Sequence, residues 1–223
     1  NREQMMNKLI QEAERADKEM VFEIGSNSDL VLENVITGNL EWTIRQFAKS
    51  RKGRITFPTK FDMVAPLLNM EHNGRVIFRM SVNPEDIIRK IEFGTSPLKS
   101  RIDALNRMCE AGYRVGLLIA PVILVEGWRE LYARLIEQLS DELSLKTKRS
   151  LLIEVIFMTY SYVYRAINQE AFPNAVELYH QDQMTGRGRG KYWYRTPVRE
   201  EAEQFLRDKL REKLGDIPIS YIV

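Results

Sequence analysis

Val76-Ile77-Phe78-Arg79-Met80-Ser81-Val82-Asn83-Pro84-Glu85-Asp86 opens the stretch that decides the fold, and Val115-Gly116-Leu117-Leu118-Ile119-Ala120-Pro121 closes it. Val76–Met80 predicts a short strand that breaks at Ser81-Val82-Asn83-Pro84. A helix follows with Pro84 just inside it and Glu85 and Asp86 in its first turn, where negative charge suits the helix dipole. After Phe93-Gly94-Thr95-Ser96-Pro97 a second helix carries Ile102, Leu105, Met108 and Cys109 at helical spacing and stops at Gly112. Val115–Ile119 is the next strand, cut off by Ala120-Pro121. Strand, helix and strand in this order imply a right-handed crossover and parallel pairing. In such folds the polar break at each strand's C-terminal end is where chemistry collects.

Outward from that unit the pattern repeats. Arg2–Glu19 reads as an amphipathic helix and Met20–Ile24 as a strand that stops at Gly25-Ser26-Asn27-Ser28-Asp29. Leu40–Lys49 is helical, Arg54–Phe57 a strand ending at Pro58-Thr59-Lys60, and Met63–Asn69 a helix closed by His72-Asn73-Gly74. Downstream come a helix over Trp128–Leu143, a strand over Leu151–Phe157 and a helix over Tyr160–Asn168. Five apolar strands, each followed by helical sequence, define an α/β chain with strands buried on both faces. A curved barrel and an open doubly wound sheet both satisfy that periodicity. The absence of a Gly-x-Gly-x-x-Gly turn weakens the open dinucleotide-binding version.

After Phe172-Pro173 the pattern changes, which divides the chain into 1–171 and a tail of 172–223. Val176–Tyr179 and Tyr192–Arg195 read as two strands around a Gly- and Arg-rich loop; a charged helix over Pro197–Leu214 and a short strand over Ile217–Ile222 follow. The tail is therefore expected to be a hairpin-plus-helix appendage rather than a further repeat.

Composition bounds the function classes. The 223 residues are 44% hydrophobic and 29% charged, ordinary for a globular chain, and no apolar run approaches a membrane span. The lone Cys109 excludes an internal disulfide and any all-cysteine metal site within the chain, and it reads as core because it lies on an apolar helix face. His72 and His180 read as surface residues too far apart to argue for a metal. A net charge of +2 is too small to argue for nucleic acid, so only a local patch can do so.

If the strands are parallel, Ser26-Asn27-Ser28-Asp29, Thr59-Lys60, Ser81-Val82-Asn83, Ala120-Pro121 and Thr159-Tyr160 meet at one rim. One cation and several neutral hydrogen-bonding groups suit a polar organic ligand bearing a carboxylate or ribose. With no histidine and no paired carboxylates there, general acid–base chemistry does not fit. Taken singly, a Ser or Asn after a strand is more often a helix cap than a ligand contact.

The stretches Phe22-Glu23-Ile24-Gly25-Ser26-Asn27-Ser28-Asp29, Thr59-Lys60-Phe61, Phe78-Arg79-Met80-Ser81-Val82-Asn83, Phe93-Gly94-Thr95-Ser96-Pro97 and Ala111-Gly112-Tyr113, with Ala120-Pro121 and Glu126-Gly127-Trp128, resemble the spore photoproduct lyase family. Order and spacing match from about Glu19 to Trp128, and more loosely to the end. The family is a branch of the radical S-adenosylmethionine enzymes. The resemblance implies a partial (β/α) TIM-like barrel of parallel strands with a C-terminal β-hairpin and helix. It also implies repair of the ultraviolet-induced methylene-bridged thymine dimer in the DNA of a spore-forming bacterium, in the cytoplasm. By the same resemblance Ser28, Lys60, Ser81 and the backbone at Ala120 line the S-adenosylmethionine pocket, and Asn83 joins them from the rim.

Two departures stand out. The family's cluster loop, Cys-x-x-x-Cys-x-x-Cys, is missing, so a [4Fe–4S] cluster and its electron donor are expected only in a longer protein whose N-terminal portion this chain lacks. Ser26 stands where the best-known members place a hydrogen-donating cysteine, and a serine O–H bond is far stronger than a thiol S–H. Over Met184–Arg199 there is no acidic residue; Arg187, Arg189, Lys191 and Tyr192 are the expected DNA contacts, the cations on phosphates and the aromatic on an exposed base. The competing expectations are a solvated hairpin tip, a non-catalytic nucleic-acid-binding paralogue, and a radical enzyme with another substrate.

Overall fold

A computed structural model describes residues 1–223. Six strands form the main sheet: β1 (Val21–Glu23), β2 (Arg54–Thr59), β3 (Val76–Val82), β4 (Arg114–Val122), β5 (Leu152–Phe157) and a C-terminal strand, Ile219–Ile222. The sheet order is β1–β2–β3–β4–β5 and then that last strand. β1 pairs parallel with β2, β2 with β3, and β5 with the C-terminal strand. A second, antiparallel sheet holds Tyr160–Ser161 (β6), Met184–Gly188 (β7) and Lys191–Tyr194 (β8), in the order β6–β8–β7, which makes Ile219–Ile222 β9.

The chain divides into two compact units, Asn1–Ser81 with Lys99–Leu118 and Leu143–Leu152, and Val82–Leu98 with Ile119–Glu142 and Ile153–Val223. In the first unit, helices α1 (Arg2–Arg15), α2 (Leu30–Thr37) and α3 (Asn39–Phe47) precede β2. Phe57 of β2 and Phe78 of β3 meet edge to face at 5.9 Å, both without solvent exposure, beside the buried Ile55 and Met80. Asp29 caps α2 by accepting from the Val31 and Leu32 amides. Gly38, at φ 62°, ends α2 in the left-handed region that only glycine enters cheaply. Asn34 Oδ1 then accepts from the Leu40 and Glu41 amides and caps α3.

In the second unit, α4 (Glu85–Ile91) follows β3, and α6 (Trp128–Glu142) buries Tyr132, Leu135, Ile136 and Leu139. α8 (Tyr162–Ala171) buries no residue, and α9 (Thr196–Leu214) turns Ala202, Leu206, Leu210 and Leu214 inward. The remaining helices are α5 (Leu98–Glu110) and the short α7 (Leu145–Ser150). No helix is long and apolar enough to cross a membrane.

Several expectations change. The segment 30–37, given no element by sequence reading, is α2, and the helix expected over Met63–Asn69 is a single 3-10 turn, Ala65–Leu67. α1 ends at Arg15 rather than Glu19. β4 continues through Ala120 and Pro121 to Val122 instead of stopping at Ile119. Val176–Tyr179 is not a strand; the Gly-rich Met184–Gly188 is, because it pairs with β8. The last strand is not part of an appendage but the sixth member of the sheet. His72 is buried, not on the surface: its ring stacks on Tyr113 at 3.9 Å.

Candidate functional site

Each residue expected at the rim stands within two residues of the C-terminal end of its own strand or beyond it. Ser26 and Ser28 follow β1 on an exposed loop that Gly25 makes possible. At φ 77° a Cβ on Gly25 would lie 2.6 Å from Leu30 Cγ, so a side chain there meets both strain and a clash. Ser26 Oγ donates to Glu23 Oε1 at 3.3 Å, and Arg79 Nη2 donates to Glu23 Oε2 at 2.6 Å. Arg79 lies along β3 with its side chain buried, which requires Gly116 beneath it; a Cβ there would approach Arg79 Cγ to 3.1 Å.

Asp29 joins the β1 loop to the end of β2. Besides capping α2, its carboxylate accepts from Thr59 Oγ1 at 2.8 Å and from the Lys60 amide at 2.9 Å. The backbone of Lys60 is thereby fixed beside the Ser28 loop, while its side chain remains partly exposed. Ser81 is buried at the end of β3, and its carbonyl accepts from Nη1 of the fully buried Arg101 at 3.0 Å. By strand alternation Arg79 and Ser81 share one face of β3. An ammonium, two hydroxyls and ordered backbone at strand ends can hold a zwitterionic ligand by charge and directed hydrogen bonds.

In the second unit, Asn83 has no exposure and its amide is committed. Nδ2 donates to Glu92 Oε1 at 2.7 Å, and Oδ1 accepts from the Tyr132 hydroxyl at 3.2 Å. Tyr132 in turn accepts from the Ile123 amide at 2.8 Å, and Tyr194 accepts from the Leu124 amide at 2.9 Å. Burial drives the Tyr132 phenol far above its ordinary pKa and pushes Tyr194 up to about 12, so both stay protonated. These four residues brace the backbone just past Ala120, whose own side chain is half-buried.

The hairpin is turned by Arg189-Gly190, with φ of 53° and 70°, the paired left-handed conformation of a two-residue connection. Alternation sorts its side chains. Met184 and Tyr194 are buried on the inner face, and Tyr192 lies there with them, its ring 5.3 Å from Tyr162 and 5.0 Å from Tyr179. Arg187, Lys191 and Trp193 are exposed on the outer face, and the Arg187 guanidinium covers the Trp193 ring at 4.7 Å. The outward aromatic is thus Trp193, which the sequence reading passed over in favour of Tyr192. A strand alternation count from the buried Tyr194 would have found it.

Around Tyr192 the rings of Tyr160, Tyr162 and Tyr179 form a cluster. Glu177 accepts from the Tyr160 hydroxyl at 3.0 Å and the Tyr179 amide at 2.9 Å, and pairs with Arg165 at 3.0 Å. Burial opposes its charge, but these partners hold its carboxyl below the ordinary range. No group of three or more His, Cys, Asp or Glu side chains is placed to hold a metal ion, and Cys109 is buried. The residues present do not fit an iron–sulfur cluster.

A family profile described as spore photoproduct lyase matches residues 2–223. The spore photoproduct lyase of Bacillus subtilis (strain 168) is 34% identical over 201 residues, covering 88% of this chain and 58% of the relative. That of Geobacillus sp. (strain Y412MC61) is 29% identical over 212 residues, covering 93% and 62%. Among solved structures, a spore photoproduct lyase double mutant with bound AdoMet and dinucleoside spore photoproduct matches with a TM-score of 0.93 at 26% identity, over 100% of this chain and 67% of that one. Another, complexed with dinucleoside spore photoproduct, matches with a TM-score of 0.89 at 28% identity, over 97% and 64%. The chain thus spans about 58% of the length of the B. subtilis relative. These likenesses accord with the α/β partial barrel that the family resemblance implies.

Proposed function

This chain belongs to the spore photoproduct lyase family, and from that premise we propose that it supplies the cofactor- and DNA-facing portion of an enzyme that returns the ultraviolet-induced thymine dimer to two thymines. The observation that carries this reading is the match, over the whole chain, to a relative whose structure holds both AdoMet and the dinucleoside photoproduct.

In this reading Lys60 neutralises the carboxylate of S-adenosylmethionine, Ser28 and Ser81 hydrogen-bond its polar groups, and the backbone at Ala120 aligns it. Asp29 holds the Lys60 backbone, Arg101 holds the Ser81 carbonyl, and the buried Asn83 acts on the ligand through Tyr132 rather than by touching it. When bound, S-adenosylmethionine would supply the radical chemistry that takes hydrogen from the dimer. The work of this chain's own residues in that reading is to bind and orient the cofactor. Ser26, hydrogen-bonded to Glu23, orients rather than donates a hydrogen atom. Arg187, Arg189 and Lys191 contact phosphates, and Trp193 offers its ring to a base turned out of the stack.

A non-catalytic DNA-binding paralogue is the second reading, favoured by the exposed Arg187, Lys191 and Trp193 of the hairpin, which can meet DNA without a cofactor. Calorimetric titration of the chain with S-adenosylmethionine separates the two. The first reading expects binding that Lys60→Ala weakens about tenfold or more without lowering the melting temperature, as for loss of a charge-assisted contact. No binding, or an unchanged affinity in the variant, overturns the cofactor assignment. Salt-dependent binding of irradiated over untreated thymine-rich DNA tests the substrate.

A further inference from the structure

β4 ends at Val122, and the next two residues, Ile123 and Leu124, are buried. Buried backbone amides outside a strand need acceptors, and here neither finds a carbonyl: each is met by a phenol oxygen. The two phenols come from different places. Tyr132 reaches Ile123 from α6, whereas Tyr194 reaches Leu124 from the hairpin strand β8.

Tyr194 is held on three sides. It pairs across the hairpin with Met184, its ring stands edge-on to Phe157 at 6.2 Å, and its oxygen accepts from the Leu124 amide past Ala120. The other face of the same hairpin carries Arg187, Lys191 and Trp193 toward solvent. A hydrogen bond tolerates displacement of only a few tenths of an ångström before weakening. Any shift of β8 when its outer face is loaded therefore reaches the Leu124 amide directly.

We propose that Tyr194 is a positioning residue that ties the DNA-facing hairpin to the turn after Ala120, so that DNA on the hairpin and S-adenosylmethionine at the strand ends change each other's affinity. This rests on the functional reading above. Binding linkage makes the effect reciprocal: DNA alters cofactor affinity by the same factor as cofactor alters DNA affinity.

The test is calorimetric titration of the 223-residue chain with S-adenosylmethionine, with and without a saturating ultraviolet-irradiated thymine-containing oligonucleotide. The expected ratio of affinities is about fivefold or more for the unsubstituted chain and falls to about one in Tyr194→Phe. Phenylalanine keeps the ring packing on Phe157, so the variant stays folded. Tyr132→Phe removes the neighbouring bond without involving the hairpin; it weakens the cofactor while retaining the ratio. A chain that binds both ligands independently, or a Tyr194→Phe variant that keeps the full ratio, overturns the coupling alone. A chain that binds neither ligand overturns the functional reading and the coupling with it.

Discussion

The Asp29 carboxylate accepts the Lys60 amide at 2.9 Å and the Thr59 hydroxyl at 2.8 Å while it caps α2, so one side chain joins the loop after β1 to the end of β2. Replacing it with alanine removes a helix cap and strands two partly buried donors. Asp29→Ala is expected to destabilise the chain by about 2–3 kcal/mol and to weaken S-adenosylmethionine binding as Lys60 loses its anchor. Urea unfolding and calorimetry measure the two effects. A loss under about 0.5 kcal/mol would mean the junction is held by other contacts.

Alkaline pH tests the phenol pair. The folded-state pKa of Tyr194 is raised to about 12 by burial, and that of Tyr132 is raised further. A phenol whose folded pKa exceeds its unfolded value stabilises fully below about pH 10. That stabilisation is lost as pH climbs through the folded pKa. Stability should therefore fall between about pH 10 and 12, with Tyr194 alone contributing about 2–3 kcal/mol. Tyr194→Phe should flatten part of that fall, read from urea midpoints alongside tyrosinate absorbance.

The two faces of the hairpin should separate by mutation. Trp193→Ala is expected to weaken single-stranded DNA binding by about 1–3 kcal/mol with an unchanged salt slope, as for lost base stacking. Arg187→Ala should lower the slope by about one counterion. Tyr192→Ala should instead loosen the tyrosine cluster and lower the melting temperature. Equal effects of the two aromatics on DNA would contradict the sorting.

Gly25→Ala introduces a side chain at φ 77° against Leu30. We expect a loss of about 1–3 kcal/mol and a displaced Ser26–Ser28 loop, seen as weakened cofactor binding. A neutral substitution would show that Leu30 yields.

Strands β2, β3, β4 and β5 were legible because buried parallel strands read as continuous apolar runs between sharp polar breaks. α2 was not, because Val31, Val35, Ile36 and Thr37 are β-branched and the apolar face is incomplete: Val35 and Ile36 are exposed. Its helix depends on the Asp29 cap and on Gly38. β7 was hidden for the opposite reason, since its glycines speak against a strand and only pairing with β8 makes one. At the site, the strand-end positions followed from topology. The Asp29 junction, the Arg101–Ser81 bond and the paired phenols join residues distant in sequence, and no local pattern marks them.

The parallel pairing of β5 with β9 bears on how the chain comes into being. On the ribosome, β5 emerges well before Ile219–Ile222, so the β5 border of the growing sheet stays unpaired until β9 follows it. Such an unpaired border is adhesive. Nascent chains that stall between β5 and Ile219 should therefore associate with one another, and chaperone dependence should concentrate in that interval.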